Sequence, residues 1–174
     1  MVKKLGDIGG KVTEIRFSGI FDYEKLYLAM YNWLRDHYYE VSETYKHKMT
    51  GLGAEIELAF KGERKESEFI KFNLELETHF WDVTDVETVV NGKKQKLNKG
   101  RCTMIIKFKV TLDYQSQFDK SEFLVRLFNV LRFTVISNRT ILIVYVGKLI
   151  GESYKLDTKI KDELGMYSAY NAWG

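Results

Sequence analysis

Histidine and cysteine, the side chains most readily turned to nucleophilic or metal chemistry, are scarce in this sequence: three histidines, His37, His47 and His79, and one cysteine, Cys102. A nucleophile needs a base within hydrogen-bond reach, and a metal site needs ligands at recurring short spacings. The histidines fall on three different expected elements without such spacing, and a lone cysteine cannot build a structural zinc site. Cys102 sits on the apolar side of an alternating run, where a buried, inert thiol is expected. Asp82 and Asp85 are near enough to share a cation, but two carboxylates on a connection are ordinarily just solvated. Gly9-Gly10 and Gly51-Leu52-Gly53 match neither a Walker loop nor a dinucleotide fingerprint, because neither is a strand-to-helix junction carrying the required lysine or third glycine. These residues assign no catalytic group, no cofactor and no metal, and an enzyme is not expected.

Charge and aromatic side chains point instead to surfaces. Lys93, Lys94, Lys96, Lys99 and Arg101 follow Asn91-Gly92 with no acid among them, which makes a basic tip. Projecting lysines can meet phosphates or an acidic protein patch, and they also keep exposed strands from pairing edge to edge. No stacking aromatics are interleaved with them, so nucleic acid is disfavoured. Tyr23, Tyr27, Tyr31 and Tyr38 lie off the main apolar stripe of the first expected helix, and Tyr170 and Trp173 lie in the tail. Such rings need burial against something, and Tyr and Trp suit interfaces. The candidate partner-binding set is therefore Tyr23, Tyr27, Tyr31, Lys93, Lys94, Lys96, Lys99, Arg101, Tyr170 and Trp173.

At 174 residues and 20.4 kDa, with 45% hydrophobic and 29% charged residues, the chain suits one compact domain. Lys and Arg number 27 against 24 Asp and Glu, too even a balance for a dedicated nucleic-acid arm. Aromatics at 14% exclude a low-complexity polymer, and the absence of proline excludes polyproline linkers. One cysteine forms no internal disulfide. Gly6, Asp7, Gly9 and Gly10 stand where a signal peptide needs an unbroken apolar stretch, so cytoplasmic synthesis is expected. The most apolar run, Ile141 to Val146, is far short of the roughly 20 residues that cross a bilayer.

These residues must be positioned by an α+β fold. Residues 1–11 read as a flexible leader. Val12 to Phe17 alternates as a strand with Thr13, Ile15 and Phe17 on one side, and Gly19 ends it. Asp22 is placed to cap a helix running to about Tyr38, with Phe21 and Leu26 as a hydrophobic staple and Leu26, Met30, Trp33, Leu34 and His37 as its stripe. From Tyr39 the period turns to two: Tyr39, Val41, Tyr45 and Met49 form one face of a second strand. Ala54 to Phe60 makes a third, and Lys61 to Ser67 reads as an exposed connection. Ile70 to Phe80 is long enough to be a sheet's central member. Val86–Val90, Asn91-Gly92 and Lys93–Leu97 read as a hairpin, and Cys102 to Leu112 completes an antiparallel set. Glu55, Glu57, Glu75 and Glu77 would face Lys107 and Lys109 across neighbouring strands, as a solvated salt-bridged surface or a docking surface for another subunit. Phe123, Leu127, Val130, Leu131, Thr134, Asn138, Ile141, Leu142, Tyr145 and Leu149 fall on one stripe of a long C-terminal helix packed on the sheet. The β-branched residues near Ile141 suit a strand equally, so a break near Asn138 and a kink at Gly147 or Gly151 stay open. Tyr154 to Leu164 reads as mostly charged with a thin apolar edge, and residues 166–174 form an aromatic tail on a single 1–174 domain.

The order strand, helix, antiparallel strands, long C-terminal helix resembles the helix-grip family, which includes START-like and Bet v 1-like lipid-binding proteins. The resemblance implies a sheet curled around the last helix, with Ile70, Phe72, Leu74, Met104, Ile106 and Phe108 against Phe123, Leu127, Val130 and Leu131. The chain departs from it by having one N-terminal helix where the family commonly has two short ones, and by placing large side chains on that face, which favours a filled core over a pocket. FDYEKLYLAMYNWL and GKKQKLNKG are similar to segments of small uncharacterised proteins of archaeal and viral genomes, a similarity that carries no activity. The expected function is a non-enzymatic structural or assembly protein acting through protein contacts with copies of itself, for example as a repeated virion subunit. The alternative is a helix-grip carrier with a small apolar ligand between sheet and helix. No membrane span is expected.

Overall fold

The computed structural model describes residues 7–37, 39–90, 93–112, 114–115 and 139–166. In chain order these form β1 (Ile8–Phe21), α1 (Tyr23–Asp36), β2 (Glu40–Thr50), β3 (Gly53–Lys65), β4 (Ile70–Val90), β5 (Lys93–Leu112) and α2 (Arg139–Glu163). The protein is α+β: one antiparallel five-stranded sheet, in the order β1-β5-β4-β3-β2, with both helices against the same inner face.

Local chemistry sets the first two elements. β1 starts at Ile8, inside the expected leader, and continues past Gly19 to Phe21, keeping Ile15 buried and Phe17 against the core. Asp22 is extended (φ −95°, ψ 103°) and its carboxylate accepts the Lys25 N–H at 3.0 Å, so α1 begins there. Phe21 and Leu26 are both buried across that cap, the two ends of the staple. Leu26, Met30 and Leu34 form the stripe that faces the sheet. The helix closes at His37, whose ring stacks on Trp33 at 3.8 Å and bonds its carbonyl at 2.8 Å.

β4 is the central strand, with β5 and β3 on its two sides. It is also longer than the alternation suggests. The expected fourth strand and the first arm of the hairpin are one element of 21 residues, paired with β5 from Ile70↔Leu112 to Val90↔Lys93; Asn91-Gly92 lies outside the described residues. A register shift between Trp81 and Thr84, with Asp82 at φ 56°, breaks the two-residue period without breaking the strand. Gly100 lies opposite the bulge, where a Cβ would come within 2.9 Å of the Trp81 carbonyl oxygen, so the backbones approach too closely for a side chain.

Packing decides two further segments. Lys61 to Ser67 is not an exposed connection: β3 runs to Lys65, and only residues 66–69 turn. Gly62 takes an inward position because the Tyr39 ring lies on it, with the ring and its Cβ 3.0–3.1 Å from where a Cβ would stand. Tyr154 to Leu164 is mostly charged with a thin apolar edge, and that edge is what packs on the sheet. Leu149, Ser153, Leu156, Ile160 and Leu164 are buried, and α2 passes Gly147 and Gly151 as one helix. Upstream on the same helix Ile143 and Val144 are 62% and 58% exposed. The segment Phe123 to Asn138, expected to hold the sheet, lies outside the described residues. Two buried polar side chains of α2 are satisfied among the described residues: Ser153 donates to the Leu149 carbonyl, and Asp157 accepts from Thr13 on β1 at 3.1 Å and pairs with Lys161.

Arg64, the last inward residue of β3, ties these parts together. Its guanidinium donates to both carboxylate oxygens of Glu152 on α2 at 2.9 and 3.0 Å and to the His37 carbonyl at the end of α1 at 3.0 Å. Glu66 lies at 3.3 Å, and the Tyr39 and Phe72 rings lie 4.8 and 5.4 Å away. Burial disfavours the charged guanidinium, but Glu152, the Tyr39 hydroxyl and Glu66 outweigh it and raise the Arg64 pKa. Tyr39 donates to Glu152 at 3.0 Å, and burial, followed by that carboxylate's charge, raises its own pKa. Arg64 and Glu152 keep only 14% and 12% of their side-chain surface in water, so breaking the pair leaves one charge poorly solvated. We expect Glu152→Gln to cost about 2 kcal/mol, read as a lower urea midpoint at unchanged slope. The double replacement Arg64→Met, Glu152→Met should cost less than that single change, because no unpaired charge remains.

Candidate functional site

Apart from His47, the side chains singled out for chemistry are engaged within the fold. His37 stacks on Trp33, and His79 stacks on Trp81 at 4.0 Å and bonds Glu55 at 2.7 Å. His47 lies apart from both, exposed on β2. Cys102 is 2% exposed, and burial pushes its thiol up to about 11, away from the thiolate needed for attack. Asp82 pairs with Arg101, and Asp85 accepts from Asn98 at 3.0 Å. Among the described residues no group of three His, Cys, Asp or Glu is placed to hold a metal ion, and no helix is long and apolar enough to cross a membrane.

The outer face of the sheet, opposite the helices, carries open depressions of about 840 and 540 Å³. Their charges are already matched. Lys61 pairs with Glu75 at 3.0 Å, Lys71 with Glu63 at 2.8 Å, Lys107 with Glu77 and Lys109 with Asp7. This is the salt-bridged surface that the strand pattern anticipates, although Lys109 takes Asp7 rather than a glutamate of β4. Exposed pairs of this kind contribute roughly 0–1 kcal/mol each and leave little net charge to attract an ion.

Two features of the described surface remain unmatched. The first is the far end of the β4–β5 hairpin. β3 follows β4 only as far as Ala54↔Val83, and β1 follows β5 only as far as Phe21↔Asn98. Val86–Val90 and Lys93–Leu97 therefore project as a two-stranded arm. Lys94, Lys96 and Lys99 are exposed and make no ion pair among the described residues, although Glu87 stands across from Lys96. Arg101 is different, being held by Asp82 at the base of the arm.

The second is β2. It pairs in unbroken register with β3 from Glu40↔Glu63 to Thr50↔Gly53, and every residue from Ser42 to Thr50 is exposed. The inner face expected to be buried, Tyr39, Val41, Tyr45 and Met49, is covered only at its start. Tyr45 is 51% exposed and Met49 70%, with His47 between them. The helix does not reach this far. Tyr27 and Tyr31 stack at 6.3 Å and lean on Phe60, and Tyr23 meets Phe80 edge-on at 5.2 Å, so these three rings are largely used within the molecule. Tyr27 makes α1's polar contact with β2, donating to Glu43 at 2.8 Å. Sequence reasoning placed Tyr45 and Met49 on an apolar face but missed them as surface; the exposed lysines alternating with them were the available signal of an edge strand. Tyr38, Tyr170 and Trp173 lie outside the described residues, as does the side chain of Lys93.

The Tyr27–Glu43 bond has a pH signature. It holds the phenol protonated, and together with burial pushes its pKa up to about 12 from 10.0; burial lifts Tyr23 to about 12 as well. A pKa raised on folding adds stability that is complete below the unfolded value and lost as pH climbs through the folded one. The unfolding midpoint should therefore fall between pH 10 and pH 12. In Tyr27→Phe that fall should be shallower, which a denaturant series across the range will show.

No protein-family model matches the chain, and no curated protein matches it.

Proposed function

We propose that the chain is a non-enzymatic assembly protein that works through protein–protein contacts, as a repeated subunit of a larger particle such as a virion. The observation that carries this proposal is β2, an eleven-residue strand with one hydrogen-bonding edge, most of both faces, and the large apolar side chains of Tyr45 and Met49 open to water. Ordering a strand costs roughly 1–2 kcal/mol per residue in backbone entropy, and burial ordinarily offsets it. From Ser42 onward β2 has little burial of its own, and a partner on this edge would supply the rest. The projecting hairpin arm supports the same function: a two-stranded ribbon beyond its sheet is marginal alone and is stabilised by contact. Its lysines suit an acidic protein surface. The committed state of Cys102, His37 and His79 argues against a catalytic alternative built on them.

Native mass spectrometry and sedimentation of the full chain should give species at multiples of 20.4 kDa. A single monomer persisting at high protein concentration, with no binding partner in native extracts, would overturn the proposal.

A further inference from the structure

Resting on the assembly function proposed above, we infer that β2 pairs antiparallel with β2 of a second copy about a two-fold axis through Tyr45, joining two five-stranded sheets into one. The occupant follows from the self-complementarity of the strand. In a continuous sheet, inner-face residues must meet inner-face residues, which restricts the two-fold axis to a residue of the strand rather than a gap between residues. Tyr45 is the midpoint of Glu40–Thr50, so an axis there uses the whole strand. On the inner face it sets Tyr45 against Tyr45, Met49 against Val41, and Glu43 against His47, each of the last two pairings occurring twice. On the outer face Lys46 meets Thr44 and Lys48 meets Ser42. No like charges oppose one another.

Neighbouring registers are worse. An axis at Glu43 opposes two glutamates, and one at Lys46 opposes two lysines. An axis at Thr44 carries Met49 past the end of the partner strand, opposite Tyr39, which is already buried. The Tyr45 axis also covers the two large apolar side chains that β2 leaves in water, 51% and 70% exposed in the single chain.

The opposite edge of the sheet does not compete. β1 carries a bulge between Lys11 and Thr13, its charged Lys11, Glu14 and Arg16 are paired with each other, and α2 lies against it through Asp157 and Thr13. A bulged edge resists strand addition, so the β2 pairing closes as a dimer rather than propagating as a fibre.

Cysteine cross-linking of the full chain tests the register. Directly opposed residues bring their Cβ atoms to about 5 Å, near disulfide range, so Tyr45→Cys should form a covalent dimer under mild oxidation. Ser42→Cys should not, since its two copies lie about six residues apart along the strand, roughly 20 Å. The native thiol at Cys102 is buried and does not interfere. Independently, His47→Glu should raise the dimer dissociation constant about tenfold, because it sets a carboxylate opposite Glu43 twice across the axis; adding Glu43→Lys makes both pairings attractive and should restore it. If the wild type assembles but Tyr45→Cys cross-links no faster than Ser42→Cys, or if the charge exchange leaves affinity unchanged, the β2 pairing is wrong while the assembly function stands. If the wild type is a monomer throughout, both fall.

Discussion

The architecture depends on how one cation is housed. Arg64 leaves the edge of the core from the end of β3, and its guanidinium is met by a carboxylate from α2, a carbonyl from the end of α1 and the rings of Tyr39 and Phe72. Three elements are thus joined at one point. The helices are thereby fixed against one corner of the sheet by directional bonds, whereas the apolar contacts of Leu149, Leu156 and Ile160 set distance but not angle. Gly62 belongs to the same device, because only a missing side chain lets Tyr39 lie flat enough to flank the guanidinium.

With both helices held on one face, the remaining surfaces acquire distinct characters. The outer face becomes a field of cross-strand ion pairs that satisfy one another and present little net charge. The core side absorbs Phe60, Phe72 and Phe80 together with the buried thiol. His37 and His79 are thus engaged in stacking and hydrogen bonding and Cys102 in the core, while β2 stands at the edge of the sheet.

The helices do not cover the sheet evenly. α1 ends its polar reach at Glu43 and α2 lies toward β1, so the second half of β2 receives no cover. At the opposite edge β1 carries a bulge and paired charges, features that discourage strand addition and that β2 lacks along its regular register. The β4–β5 ribbon extends this openness in a second direction, beyond both of its neighbours.

Element types and the central position of β4 were legible from the sequence because they follow from local rules: alternation in β3 and β5, a capping aspartate with its staple at α1, and Asn-Gly between two strand-like runs. The lengths were less legible. Asp82 interrupts the period of β4 at a bulge, which from sequence looks like a connection. Gly62 and Arg64 disguise the end of β3, since neither looks like an inward-facing residue until Tyr39 and Glu152 are seen against it. The anchoring stripe of α2 was legible only as a thin apolar edge, and its polar members were not. A helix crossing a sheet needs only one narrow apolar row, and Ser153 and Asp157 within that row become acceptable only when the Leu149 carbonyl and Thr13 satisfy them. Periodicity therefore determined what each segment is and which side of it is greasy. Whether that side is covered depends on where distant elements end, so the exposure of Tyr45 and Met49 was decided by tertiary structure alone.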